Sequence, residues 1–350
     1  MQRLVIYNLE TNLDSEVLAA AHDWIESFAS QIQEVVVYST HVGRHELPSN
    51  VEVFELGGGT FFKKIVALSR LIKSFCTQIR FRKELIVFHH MSTRTLLVAG
   101  PLYWIAGVKQ GLWYSHSKNS LTLKISQFFA NVIFSSTSAS IPLNGEKLRF
   151  IGHGIKTQKF VDCLSSAKSN RQGTVLLGRI APIKNIELAI DSISKANIIK
   201  NKKKLTCIGP TGPNAEYQAK LIQFAKLREV ELSIKSSMPY KSVPKLLCEF
   251  DSLFTATPNS VDKVAIEGAL SGCFIITNQK HTLELTGMDK IFEFLGKNLM
   301  PSIEEQISII SSIKYDEAQA LRKMLSLRAR ELNDLNQTSS RILAELRNAK

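Results

Sequence analysis

Short runs of β-branched and aromatic residues alternate along the chain with longer stretches whose apolar positions fall three and four apart. The runs are "LVIY" (4–7), "EVVVYS" (34–39), "VEVFEL" (51–56), "ELIVFHH" (84–90), "GLWYS" (111–115) and "VIFSS" (132–136), and helical patterns such as "SEVLAAAHDWIESFA" separate most of them. "LRFIGHGI" (148–155) closes this series, and "SSAKSNRQG" (165–173) has neither period and reads as a linker. The alternation then resumes with "TVLLGRI", "KLTCIGP", "VELSI", "SLFTAT" and "CFIIT". From about residue 301 the pattern is helical and polar. Strand-helix-strand order predicts parallel, doubly wound sheets, two of them in succession with a cleft at their meeting edge. Ligands in such sheets bind beyond the carboxyl ends of the strands, so the loops after strands are where function is expected.

Composition adds scale and charge. A chain of 350 residues, 44% hydrophobic, is long enough for two domains or one large α/β unit and excludes disorder. Lys and Arg number 44 against 31 Asp and Glu, a formal +13, so an anionic partner is expected: nucleic acid, a phosphorylated ligand or an acidic membrane. The five cysteines never fall in a C-x-x-C spacing, so they read as ordinary thiols of a reducing compartment, without zinc site or disulfide framework. "MQRLVIYNLE" lacks the apolar core of a signal peptide, which gives a cytoplasmic reading. "LLVAGPLYWIAGV" from Leu96 is too short to span a bilayer and contains Pro101, leaving peripheral membrane contact as the only kind expected.

Two stretches carry candidate chemistry. In "GRIAPIKN" Arg179 and Lys184 follow a strand, while Pro182 and Asn185 mark the turn into a helix near Ile186. A guanidinium, an ammonium and a helix N-terminus together suit a diphosphate. Alone, the pair reads equally well as two solvated cations. In "TATPNSVDKVAIEGALSGCFIIT" (255–277) a strand ends in a polar loop and a helix opens near Asp262 with Glu267 in its first turns. A carboxylate there can accept both hydroxyls of a ribose. On periodicity alone a solvated helix carboxylate is the stronger reading.

Taken together these blocks resemble the retaining glycosyltransferases of family 4, α/β proteins of the GT-B fold with two Rossmann-like doubly wound domains facing across a cleft. "LLGRIAPIKNIELAI" is similar to that family's diphosphate loop, "IGPTGPNAEYQAKL" to its next strand and helix, and "MPYKSVPKLLCEFDSLFTAT" to the segment carrying the base pocket. The resemblance implies an acceptor-side domain over 1–160, a nucleotide-sugar domain over 161–334, and a last helix, about 335–350, returning to the first domain. It implies that Arg179 and Lys184 grip the donor diphosphate without a metal, and that Glu267 holds the ribose. Ser260 and Val261 would offer backbone amides to phosphate or sugar, and Gly178, Gly209 and Pro239 lie in the same donor blocks. The family commonly has a Glu eight residues before Glu267, where this chain has Asn259. An amide can hydrogen-bond hydroxyls but offers no charge to an oxocarbenium-like transition state. Asp262 and Lys263 open the helix as in a variant of the pattern and would share that work, although a simple N-cap is at least as good a reading of Asp262.

In the first half, "LWYSHSKNS" puts His116 after a strand, where the family has a histidine touching the transferred sugar. A lone histidine at such a place is otherwise more often structural. His90 and His153 sit at other strand ends, as sugar-side contacts or as turn and cap residues, and Asn12 and Asp14 in the first loop are weak acceptor or donor contacts. "GGGTFFKKIVALSRLIKSFCTQIRFRK" (57–83) interleaves Lys63, Lys64, Arg70 and Lys73 with Phe61, Phe62, Ile65, Leu68 and Leu71. That composition predicts a packed helix whose cations dock on anionic lipid. The plain alternative is one buried stripe with a solvated basic face.

The sequence therefore reads as a cytoplasmic, peripherally membrane-bound hexosyltransferase. It would use a UDP- or GDP-linked sugar, a glycan or lipid-linked acceptor, no cofactor and no nucleic acid, in surface polysaccharide assembly. The alternatives are a sugar-nucleotide-binding partner subunit without transfer activity, a sugar-nucleotide epimerase, and a basic nucleic-acid-binding protein.

Overall fold

The structure, a computed structural model, describes residues 2–15, 18–58, 61–163, 171–198, 203–210, 215–258 and 261–349. Two compact units make up the chain, residues 1–156 with 334–350 and residues 157–333. The first opens with β1 (Arg3–Thr11), α1 (Ala20–Ala29), β2 (Glu34–Val42), β3 (Val51–Glu55) and α2 (Phe61–Gln78). It continues with β4 (Leu85–His90), α3 (Thr93–Ile105), β5 (Lys109–Trp113), α4 (Leu121–Ser126), β6 (Val132–Ser135) and β7 (Leu148–Phe150). The second begins with β8 (Thr174–Leu177), α5 (Ile186–Lys195), β9 (Lys204–Ile208), α6 (Ala215–Leu227) and β10 (Glu231–Lys235). It goes on through α7 (Val243–Leu247), β11 (Ser252–Phe254), α8 (Lys263–Leu270), β12 (Phe274–Ile276), α9 (Lys280–Thr286), α10 (Met288–Phe294), α11 (Ile303–Ser312) and α12 (Tyr315–Asn333). The last helix, α13 (Leu335–Asn348), belongs to the first unit.

Every strand pairing is parallel: the first sheet runs β3-β2-β1-β4-β5-β6-β7 and the second β10-β9-β8-β11-β12. The period of two along each strand sorts the first core into layers. Leu4 and Ile6 pack with Val35 and Val37 beneath α1 and α13, whereas Val5 and Tyr7 pack with Val36 and Tyr38 beneath α2 and α3. Ile342, Leu343 and Leu346 fasten α13 to the first layer, each burial stabilising by about 1.5–3 kcal/mol. Gly111 permits that contact, because a Cβ there would lie 2.8 Å from Leu346 Cδ2. Pro101 sits inside α3. One reading fails: Cys76, Cys207 and Cys273 are free thiols, but Cys248 is disulfide-bonded, a pairing that sequence spacing does not reveal.

Candidate functional site

In the second sheet the strand order reverses between β8 and β11, so a crevice is expected where the loops after these two strands diverge. Two glycines shape it. Gly178 follows β8 at φ 143° and Gly209 follows β9 at φ 156°, conformations that favour glycine. A Cβ on Gly209 would stand 2.0 Å from the Gly178 carbonyl oxygen and 3.3 Å from the Arg179 nitrogen. Gly178 N–H donates to the Ile208 carbonyl at 2.9 Å and Ile180 N–H to that of Pro210 at 3.1 Å, so the two loops are laid one on the other. Gly209→Ala is therefore expected to destabilise the second unit by about 2–4 kcal/mol through backbone clash and strain. Urea unfolding would read this directly, and a stability equal to wild type would show that the loops can part freely.

The loop after β8 passes through a single turn, Pro182–Lys184, and reaches α5 through Asn185 in the left-handed region, φ 51°. Asn185 Nδ2 donates to the Ala256 carbonyl at 2.7 Å, tying this loop to the one after β11. Beside it Lys184 Nζ donates to Asp262 Oδ2 at 2.8 Å and to Thr257 Oγ1 at 3.2 Å. Thr255 and Thr257 hydroxyls each donate to the same carboxylate oxygen at 2.7 Å. Asp262 holds the N-cap position of α8, but its side chain makes no cap hydrogen bond; the ammonium and the two hydroxyls outcompete the helix amides, which corrects the simple N-cap reading. Burial would raise the Asp262 carboxyl, but the Lys184 charge and the hydrogen bonds from Lys184, Thr257 and Thr255 outweigh it and hold the group below its ordinary value. Arg179 differs. It is exposed, and its guanidinium makes no hydrogen bond or ion pair among the described residues.

One turn further along α8, Glu267 is buried at 4% exposure. Its Oε1 accepts from Tyr240 Oη at 2.7 Å and from Lys263 Nζ at 3.0 Å, while Lys263 also donates to Tyr240 Oη at 2.8 Å. Lys263 Nζ lies 4.3 Å from the centre of the Tyr240 ring and Lys159 Nζ 5.3 Å. Glu267 is thus a held carboxylate, not a solvated one. Pro239 is exposed and opens the turn that carries Tyr240, and Val261 is buried at the foot of α8. Asn259 and Ser260 lie outside the described residues.

In the first unit His116 is exposed after β5, and its Nδ1 accepts from the Lys118 N–H at 2.9 Å. His90 ends β4 against Trp24, ring centres 4.9 Å apart, and Phe88. Burial, with a smaller contribution from neighbouring His153, lowers its pKa to about 4, so it is neutral at pH 7. His153 meets Trp113 edge to face at 6.4 Å. Asn12 Nδ2 donates to Glu10 at 3.1 Å while its Oδ1 accepts from the Asp14 N–H, and Asp14 receives two hydrogen bonds from Arg44. These two residues brace their own loop. Helix α2 buries Leu71, Ser74 and Gln78, and Arg70 Nη1 is drawn back to the Glu55 and Leu56 carbonyls, while Lys73 is exposed. The side chains of Lys63 and Lys64 lie outside those described.

Among the described residues one group, His22, Asp23 and Glu26 on α1, brings metal-ligating atoms within 4.8 Å of one another. Lys156 Nζ lies 2.7 Å from Glu26 and 4.0 Å from Asp23, and His22 Nε2 accepts from the Glu46 N–H, so one cation and one amide already occupy ligand atoms of the group. A cavity of about 240 Å³ lies at the opposite, amino end of the second sheet, lined by Arg171, Arg322, Asp251 and several isoleucines. Both arginines there donate to backbone carbonyls, which marks them as structural.

Sequence reasoning passed over Thr255, Thr257 and Tyr240. The first two were legible only as turn residues, and Tyr240 carries no local signal. Chemically, the switch point offers a guanidinium that is unpaired among the described residues and a tethered ammonium. Two of the three N–H donors of Lys184 serve Asp262 and Thr257, which leaves one for an incoming phosphate oxygen.

No protein-family model and no curated protein matches the chain. Solved structures do. The Anabaena protein HepE in complex with UDP is 14% identical with a TM-score of 0.71, over 99% of this chain and 100% of that one. The UDP-forming α,α-trehalose-phosphate synthase of Burkholderia xenovorans is 13% identical with a TM-score of 0.65, over 100% and 99%. WaaG, a glycosyltransferase involved in lipopolysaccharide biosynthesis, is 11% identical with a TM-score of 0.62, over 99% and 100%. The fold is the two-unit Rossmann-like α/β fold of GT-B glycosyltransferases.

Proposed function

We propose that the protein is a retaining glycosyltransferase of family 4 that transfers a hexose from a UDP-linked sugar to a glycan or lipid-linked acceptor in surface polysaccharide synthesis. The observation that carries this is the placing of exposed Arg179, without a side-chain partner among the described residues, beside anchored Lys184 at the switch point of the second sheet. As the bond from the sugar's anomeric carbon to the diphosphate breaks, negative charge grows on the leaving oxygens. Arg179 forks onto them and Lys184 supplies a point charge, doing without a metal ion what a divalent cation does in other phosphate sites. Glu267, oriented by Tyr240 and Lys263, accepts the ribose hydroxyls, and His116 meets the transferred sugar. HepE was crystallised with UDP, with UDP and glucose, and with UDP-glucose, which favours a uridine donor. The lipid-linked acceptor would bring the protein to the anionic inner face of the cell membrane. No helix among the described residues is long and apolar enough to cross a membrane.

The test is a thermal-shift screen against UDP, GDP, ADP and their sugar conjugates with EDTA present. UDP at a hundred times its Kd should stabilise the folded state by about 2.7 kcal/mol, metal or no metal. Absence of any shift at millimolar ligand would remove the donor-site reading, and a shift that EDTA abolishes would remove the metal-independent part of it. Asn259 in place of a carboxylate keeps a second reading open, a partner subunit that binds donor and does not turn it over. Tight UDP-sugar binding without transfer or hydrolysis, restored to hydrolysis by Asn259→Glu, would establish that one.

A further inference from the structure

We infer that the outer face of the α2, α3 and α4 layer is a membrane-docking surface that inserts Trp104, Ile105 and Phe128 into an anionic bilayer. This deepens the membrane part of the reading above and rests on it, but it names a different surface from the lysines of α2 alone. The sequence supplies the first observation. Between Leu56 and Gly145 there are eleven Lys and Arg and a single acid, Glu84, while the other 260 residues are nearly balanced at 33 basic against 30 acidic. Ten of the thirteen net charges therefore sit on the quarter of the chain that builds these three helices.

The fold supplies the second observation. The strand order makes each of the connections β3 to β4, β4 to β5 and β5 to β6 cross the sheet in the same sense, so right-handed crossovers place α2, α3 and α4 on one face. Their packing agrees, α2 against α3 and α3 against α4. Residue pairs Thr93 with Thr122 and Gly100 with Phe129 set α3 and α4 side by side in the same direction. Neighbouring parallel helices make a flat layer, and its outer side carries cations without acids together with exposed apolar side chains. Ile65 and Ile72 on α2 are about half exposed, and Trp104 and Ile105 at the end of α3 are 59% and 76% exposed. Leu121 opens α4 at 72% and Phe128 follows it at 68%. Helix α3 has one charged residue in thirteen, Arg94, and that side chain is exposed.

Rigid support accompanies the apolar tips. Lys147 Nζ donates to the carbonyls of Gln127, Phe128 and Ala130, at 3.3, 3.3 and 2.8 Å, and so fixes the turn from which Phe128 projects. Arg80, Arg82 and Lys83 are exposed just beyond α2, at the same end of the sheet as Trp104, Ile105 and Phe128, while Lys124 and Lys73 are exposed along the layer. Cations around an apolar centre are complementary to a surface of anionic headgroups over acyl chains. A nucleic-acid groove would instead want aromatic platforms between its cations, and here the exposed side chains are mainly aliphatic. Trp104 and Phe128 mark the depth of insertion, and the strand-end loops that carry His90 and His116 lie at the other end of the sheet.

The chain's three tryptophans make the test direct, because Trp24 and Trp113 are buried and only Trp104 meets solvent. Full-length protein would be titrated with vesicles of pure phosphatidylcholine and of phosphatidylcholine with phosphatidylglycerol, reading flotation and tryptophan emission together. Anionic vesicles should float the protein and shift the emission to the blue. Trp104→Phe should keep flotation and lose the emission shift. Ile105→Glu with Phe128→Glu should abolish flotation, and Lys73→Gln, Arg94→Gln and Lys124→Gln should each weaken it about fivefold. Unchanged flotation in the Ile105→Glu, Phe128→Glu variant, or flotation with no emission shift, overturns the proposal, as does a concentration-dependent dimer in sedimentation that this double variant dissolves. UDP thermal shifts run on the same variants separate the two readings: they stay at wild-type size if only the membrane face is wrong.

Discussion

Arg179→Ala is expected to lower sugar transfer roughly 100- to 1000-fold, the range for removing one preorganised charge donor from a developing oxyanion, while leaving stability within about 0.5 kcal/mol of wild type. Both halves follow from the same geometry. The guanidinium is exposed and bonds to nothing among the described residues, so its removal strands no partner and opens no cavity. Its loop is held by backbone instead, through the crossing of Gly178 and Gly209 and the hydrogen bonds of Gly178 and Ile180. Lys184→Ala should differ in kind: it too should abolish transfer, but it leaves Asp262 without its cation and should also lower the melting temperature. Turnover and melting would be measured on both variants. Near-normal turnover in Arg179→Ala would sink the diphosphate assignment, and a large loss of stability would mean that the guanidinium has a structural partner.

The second large effect concerns Asp262. Its pair with Lys184 is mostly buried, the two side chains being 14% and 16% exposed, and two threonine hydroxyls converge on the same oxygen. Removing the carboxylate leaves a cation without its partner, so Asp262→Asn is expected to cost about 2–3 kcal/mol at pH 7, somewhat below the cost of breaking a fully buried pair. The carboxyl is held below its ordinary value in the fold, so the native protein binds this proton less readily than the unfolded chain does. Its contribution is therefore complete above the unfolded value of about 3.9, and is lost as pH falls through the lower, folded value. Urea unfolding of both proteins from pH 7 downward should show the gap closing below about pH 4. A gap that persists unchanged to pH 2.5 would mean that Asp262 stabilises by shape and not by charge.

Several features of the site were legible in the chain because they are local. The positions of Gly178, Arg179, Pro182 and Lys184 follow from a strand, a turn and a helix read in order, and α5 begins at Ile186, where the pattern places it. The function of Asp262 was not legible for the opposite reason. An acid at a helix start has a satisfactory local role as a cap, and only the meeting of the loops after β8 and β11, brought together by the strand order, gives it a better partner in Lys184. Tyr240 is similar: nothing near it in sequence announces that its hydroxyl will meet Glu267, 27 residues later. His90 is a different case, since a histidine at a strand end gives no sign in sequence that its ring will pack against Trp24 and Phe88. Arg70 was read as a lipid contact from helical spacing, yet the carbonyls of Glu55 and Leu56 lie within reach only because β3 ends beside α2.

By itself the sequence determined the alternation of strands and helices, the parallel sheets this requires, and the concentration of positive charge between residues 56 and 145. Periodicity and charge are properties of neighbours along the chain, and no folding is needed to read them. Tertiary structure alone decided which cation is free and which is held, which carboxylates are buried, and which apolar side chains of α2, α3 and α4 were left facing outward. Those outcomes depend on contacts between residues tens of positions apart, made only when the sheets order their strands and the helices settle on a face.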